Sequence, residues 1–132
     1  MKSRHSSPPD EERGAVAVEF ALIAPILLAL IIGIIEFANA YNIQVSVTQA
    51  SREAARTMAI TKDSAKATAA GKAGAPSINT GLLTFDYSAA GCPAATPTPN
   101  ATVTVTYTGT SLTGFFGSSL TLTGKGAMQC GG

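Results

Sequence analysis

The sequence predicts an α+β protein of lollipop form: a long N-terminal transmembrane helix continuing into a small head with a short second helix and about three antiparallel strands. Three observations predict it. Residues 20–35 are sixteen consecutive uncharged residues, all apolar or small. Ile43, Val47, Ala50, Ala54 and Met58 then recur at intervals of three and four, the spacing of one helix face. Farther along, "ATVTVTYT" (residues 101–108) alternates strictly, which is the period of a half-buried strand.

The apolar segment comes first. Ala15 to Val18 and Phe37 to Ala38 extend the run on either side of Glu19 and Glu36. As a helix, residues 15–38 would span roughly 36 Å, enough for a hydrocarbon core of about 30 Å. Leu, Ile, Ala and Phe surround the helix without a polar face, as a membrane helix requires and a soluble amphipathic one does not. Pro25 removes one backbone donor about a third of the way along, so a bend is expected there. Gly33 interrupts the aliphatic block near its end.

Beyond Ala40 the helix is expected to continue to about Ile60, carrying the narrow stripe of Ile43, Val47, Ala50, Ala54 and Met58 on an otherwise polar surface. Glu53 is within helical reach of Arg56, and the Ala-rich "EAAR" favours helix. Asp63 or Ser64 is placed to cap a second, short helix through "SAKATAAGKAGA", with Lys66 and Lys72 exposed. Gly71 and Gly74 weaken that helix and Pro76 closes it.

Three strands are then expected. "LLTFDY" (82–87) has strand composition. In "ATVTVTYT", Val103, Val105 and Tyr107 share one face, and Thr102, Thr104, Thr106 and Thr108 share the other. "SLTLTGKGAM" repeats the pattern with Leu120 and Leu122. "AAGCPAATPTPN" and "GTSLTGFFGSS" read as loops, as does the sequon Asn100-Ala101-Thr102. Phe115 and Phe116 either fold back onto the sheet or form an exposed patch for a partner. Cys92 and Cys130 are expected to pair, since a thin head of about seventy residues needs a covalent closure. In the loop-entropy model their bond removes about 4 kcal/mol of unfolded-chain freedom.

The chemistry-bearing inventory is sparse. Nine basic residues against eight acidic ones leave a net charge of +1, and the basic residues are scattered, so no nucleic-acid partner is indicated. The single histidine, His5, lies in the N-terminal tail. After Gly14 the acids are Glu19, Glu36, Glu53, Asp63 and Asp86, too dispersed for a general acid–base pair, a triad or a metal site. No enzyme activity, cofactor or metal is expected.

Three processing fates fit the N-terminus. Ala38-Asn39-Ala40 has the small-x-small form of a signal-peptide cleavage site, which would release a small secreted domain after Ala40. Against it, the apolar run is longer than such regions usually are, and Glu36 sits where the run should end cleanly. The second fate is an uncut single-pass envelope protein whose head binds something. For the third, the polar stretch "MKSRHSSPPDEERG" ends in Gly14, then four small apolar residues lead to Glu19. This arrangement resembles type IV pilin precursors, which a membrane peptidase cuts after the glycine.

More narrowly, "RGAVAVEFALIAPILLALIIGIIEFANAYNIQVSVTQASREAARTMAI" resembles the TadE-like proteins, minor pseudopilins of the tight-adherence (Flp-type) pilus machinery. Gly14, Glu19-Phe20-Ala21, Pro25 with its aliphatic block, Glu36-Phe37 and "ASREAAR" carry the resemblance, which covers the first sixty residues well. It implies a pilus-assembly and cell-adhesion role, with a prepilin peptidase, other pilin-like subunits, the assembly platform and the membrane as partners. Gly14 and Ala15 would flank the leader cleavage, and Glu19 would be the stem-pairing carboxylate. Phe20, Pro25, Gly33, Glu36 and Phe37 would pack the stem. The implied organisation is a cytoplasmic leader at 1–14, a transmembrane helix at 15–38, its extramembrane continuation at 39–61 and an α+β head at 62–132. The implied location is the bacterial cytoplasmic membrane, single-pass, with the head outside the cytoplasm, or the pilus itself.

Glu19 stands out on physical grounds as well. An ionised carboxylate at mid-bilayer costs on the order of 2.5–3.5 kcal/mol on insertion scales, so such groups are usually paired or near water. Cleavage after Gly14 would leave the Ala15 amine about one turn away, in the same subunit or in a neighbour.

Overall fold

A computed structural model describes residues 10–88, 92, 99–114 and 117–130, with side chains from Gly14 onward. It has the α+β class expected: a long helix α1 (Asp10–Thr61), a short helix α2 (Ser64–Ala73), and strands β1 (Leu83–Tyr87), β2 (Asn100–Gly109) and β3 (Leu120–Gln129). The chain divides into two compact units, Met1–Ile35 and Glu36–Gly132.

In the first unit the described residues are all helical. Helix α1 begins at Asp10, five residues earlier than expected, and continues through Pro25. From Val16 to Ile35 the large apolar side chains are exposed along most of the length, among them Phe20, Leu22, Ile26, Leu28, Leu30 and Ile34. Gly14–Thr61 is the one helix among the described residues long and apolar enough to cross a membrane. Among its described residues none is fully buried, and this surface is suited to lipid or to other helices.

The second unit does have a core. The strands form one antiparallel sheet in the order β1-β2-β3. In β2 the expected alternation holds: Ala101, Val103, Val105 and Tyr107 are buried, and the threonines between them lie on the other face. The register aligns Thr84 with Thr106 and Thr123, and Asp86 with Thr104 and Lys125, so the polar face is shared by all three strands. Asn100, expected in a loop, instead opens β2 opposite Gln129, because β3 is long enough to pair with it.

The buried face packs on the second part of α1. Ile43, Val47, Ala50 and Ala54 are buried as expected, Met58 is half-buried, and Ala55, Ala59, Ser46 and Ser51 widen the stripe. These side chains are small, and β3 answers them with glycines. A Cβ on Gly124 would lie 2.8 Å from the carbonyl oxygen of Val47, and one on Gly126 would overlap the carbonyl of Ser51. The helix backbone therefore lies against the strand backbone, which no larger residue at those two positions permits. Gln44 Nε2 donates to the Thr123 carbonyl at 3.1 Å beside this contact.

Helix α1 stops at Thr61 because Lys62 takes a left-handed conformation (φ 55°), its amide donating to the Met58 carbonyl at 2.9 Å. Asp63 then caps α2, its Oδ1 accepting from the amides of Ala65 and Lys66 at 2.9 and 3.3 Å. Gly71, expected only to weaken this helix, sits buried where a Cβ would overlap the Phe85 ring and press on the Ala50 carbonyl. The loss of helix propensity is exchanged for close packing of α2 on both α1 and β1. Tyr87 on β1 ties down the start of α2, its hydroxyl 2.6 Å from Thr68 Oγ1 and donating to the Ser64 carbonyl at 3.1 Å.

Candidate functional site

Among the described residues no cluster of three or more His, Cys, Asp or Glu side chains is arranged to hold a metal ion. The features that bear on function lie along α1 and at the ends of the sheet.

Gly14 lies inside α1, and a Cβ added to it would meet nothing within 4 Å, so the Gly14–Ala15 bond is open to the surroundings on this face. Glu19 is exposed one turn beyond Ala15, and no hydrogen bond or ion pair to its carboxylate is made by the described residues. Phe20 and Pro25 are exposed and Gly33 is half-buried. Among the described residues, then, the carboxylate of Glu19 has no partner, and the large apolar side chains around it are exposed.

Glu36 behaves differently. Its Oε2 accepts from the backbone amide of Thr113 at 3.1 Å and from Thr113 Oγ1 at 3.2 Å. Thr113 belongs to the β2–β3 connection, where Ser111 Oγ donates to the Gly117 carbonyl and accepts from the Gly114 amide at 3.0 Å. Gly114 and Gly117 adopt positive φ (72° and 128°), conformations that favour glycine and let the connection turn back on itself. So Glu36, expected at a stem-packing boundary, holds a loop of the α+β unit, and Phe37 beside it is 75% exposed. Phe115 and Phe116 fall outside the described residues, as does the leader through residue 9.

At the opposite end of the strands, Cys92 and Cys130 are joined, with Cα atoms 5.7 Å apart. The Cys130 amide donates to the Pro99 carbonyl at 2.8 Å, so the bridge closes the segment between β1 and β2 onto the end of β3. Arg52, Arg56, Lys66 and Lys72 are exposed. The ion pair among the described residues is Lys66–Asp63 at 3.9 Å; the expected Glu53–Arg56 pair does not form. A shallow hollow between α1 and α2 is lined by Gln49, Arg52, Glu53, Ala70, Ala73 and Gly74.

Sequence reasoning missed Gly124, Gly126 and Thr113. A glycine alternating through a strand, as in "TGKGA", signals close backbone approach and was available for the first two. Nothing local marks Thr113, whose partner lies 77 residues away.

Residues 14–56 match the family model described as TadE-like protein. No curated protein and no solved structure matches the chain. The match starts at the glycine and takes in Glu19, the apolar run, Glu36-Phe37 and "REAAR", the motifs on which the resemblance rests. Over residues 14–56 the chain is TadE-like.

Proposed function

We propose that this chain is a minor pilin-like (pseudopilin) membrane protein that takes part in assembling a tight-adherence, type IV-like pilus. The observation that carries the proposal is the TadE-like match over residues 14–56, which supports a protein associated with that pilus system. The single long apolar helix supports single-pass membrane anchoring. In this reading a prepilin peptidase cuts after Gly14, the α+β unit lies outside the cytoplasm, and the apolar part of α1 packs against other stems or the assembly platform.

The physical case centres on Glu19. Its carboxylate has no partner in its own chain among the described residues, although it sits in an apolar helix. Cleavage would create an ammonium on Ala15 one turn away, and the two charges would attract strongly where water is scarce. The pair would then satisfy both groups within a subunit, or set the register between neighbouring stems.

N-terminal sequencing of the mature full-length protein tests the processing step. A start at Ala15 is expected; Met1 would indicate an uncut anchor, and Tyr41 a released domain. Glu19→Gln and Glu19→Ala are expected to reduce piliation sharply while leaving membrane insertion intact. Unchanged piliation would remove Glu19 from its assigned role.

A further inference from the structure

The apolar run ends at Ile35, and Glu36 is the next residue. Glu36 is bonded twice to Thr113, and each partner has a large exposed apolar neighbour in the chain: Phe37 follows Glu36, and Leu112, 63% exposed, precedes Thr113. Tyr41, 64% exposed, stands one turn after Phe37 on the same helix face. Of the large apolar side chains described in Glu36–Gly132, these three and Ile60 are the most exposed. The three come from two chain segments that are far apart in sequence and joined through a carboxylate.

Their level along the helix matters. From Ile35 to Tyr41 the helix rises about 9 Å, and helical side chains lean back toward the N-terminus, so the Tyr41 ring reaches back toward the end of the apolar run. A headgroup layer extends roughly 5–7 Å beyond the hydrocarbon core on each side, and this is where aromatic side chains with a polar tip concentrate. Phe37 and Leu112 have the apolar surface for the acyl boundary, and Tyr41 has a ring for the boundary with a hydroxyl for the headgroups. The Glu36 carboxylate accepts two hydrogen bonds from Thr113, which lowers the cost of holding it near lipid.

We infer that Phe37, Tyr41 and Leu112 form a lipid-facing collar, assembled by the Glu36–Thr113 contact, that seats the α+β unit on the headgroup layer of the membrane. The inference rests on the anchoring part of the proposed function and adds a second lipid contact, made by the β2–β3 connection. Glu36 is its positioning residue: its two hydrogen bonds hold Thr113, and so the adjacent Leu112, against this turn of α1.

The chain has no tryptophan, so a single introduced one reports its own surroundings. Full-length Leu112→Trp, Leu28→Trp and Asp86→Trp variants would be reconstituted in phosphatidylcholine–phosphatidylglycerol vesicles, with bromine at shallow or deep acyl positions as quencher. Leu112→Trp is expected to emit at shorter wavelength than Asp86→Trp and to be quenched most by shallow bromine. Leu28→Trp is expected to be quenched most by deep bromine. Adding Glu36→Ala to Leu112→Trp should abolish the shallow quenching, whereas Glu36→Gln, which keeps an acceptor oxygen, should retain it. If Leu112→Trp is quenched by aqueous iodide as fully as Asp86→Trp while Leu28→Trp stays lipid-quenched, the collar is wrong and the anchor stands. If quenching of Leu112→Trp instead follows protein concentration in unbrominated vesicles, its partner is another copy and the collar is again wrong. Loss of lipid quenching at Leu28→Trp would overturn the anchor and the collar together.

Discussion

One helix carries two surfaces that obey different rules. Up to Ile35, α1 presents bulky aliphatic side chains that the described chain leaves uncovered; after Glu36 its inner face turns mainly to Ala, Ser and Val, buried within the α+β unit. Bulk suits a helix whose neighbour is fluid lipid or an interchangeable stem, because no fixed counter-surface has to be matched. Smallness suits a helix whose partner is a fixed strand, because dispersion and burial depend on close approach. The contrast separates a part whose apolar face the described residues cover from a part whose apolar surface they leave open. Its outer portion also holds Glu19, whose carboxylate the described chain leaves unpaired, whereas Glu36, seventeen residues later, has two donors.

The strongest way to break the inner contact is at Gly126. A Cβ there overlaps backbone, which has no rotamer by which to yield. Gly126→Val should therefore prevent stable packing of β3 on α1, read as loss of the cooperative melt of the detergent-solubilised full-length protein. Next in size is the bridge. Cys130→Ser removes a link across 38 residues and should cost about 4 kcal/mol in the loop-entropy model, with a matching fall in Tm and no change in membrane insertion. Val105→Ala follows: the side chain is fully buried at the centre of β2, and its truncation should cost about 2 kcal/mol, measurable as a lowered denaturant midpoint.

These particular residues also show what a sequence can and cannot disclose. The helix stripe and the β2 alternation were legible because each is a local period, 3.6 or 2, imposed by one buried face. The α2 cap was legible because Asp63 acts on amides two and three residues ahead. The role of Gly71 is hidden from the sequence because propensity counts only the helix that contains it, while Phe85 and Ala50, which need the space, arrive from other elements. The sequence points to a loop at Asn100 because the sequon and the prolines before it are turn-like, whereas the length of β3 decides where pairing ends. Glu36 looked like a boundary charge, since a contact with Thr113 follows no period and exists only once the sheet is formed. For the candidate site, the motif from Gly14 to Arg56 was legible as family pattern, and the loop that Glu36 holds was not.

The smallest expected effect sharpens the comparison from its other side. Leu27 is larger than Val105, and in a soluble core its loss to alanine would cost about 2–5 kcal/mol. In this chain it is 55% exposed, within a run whose neighbours are also uncovered. Leu27→Ala should therefore leave the Tm of the full-length protein unchanged in detergent, where micelle replaces the missing neighbour. The same substitution removes packing surface from any stem–stem contact, so a modest loss of piliation in cells should accompany the unchanged melt. A fall in Tm as large as that of Val105→Ala would mean that the outer portion of α1 is covered by the chain itself. The division between a self-sufficient inner helix and a dependent outer one would then be wrong.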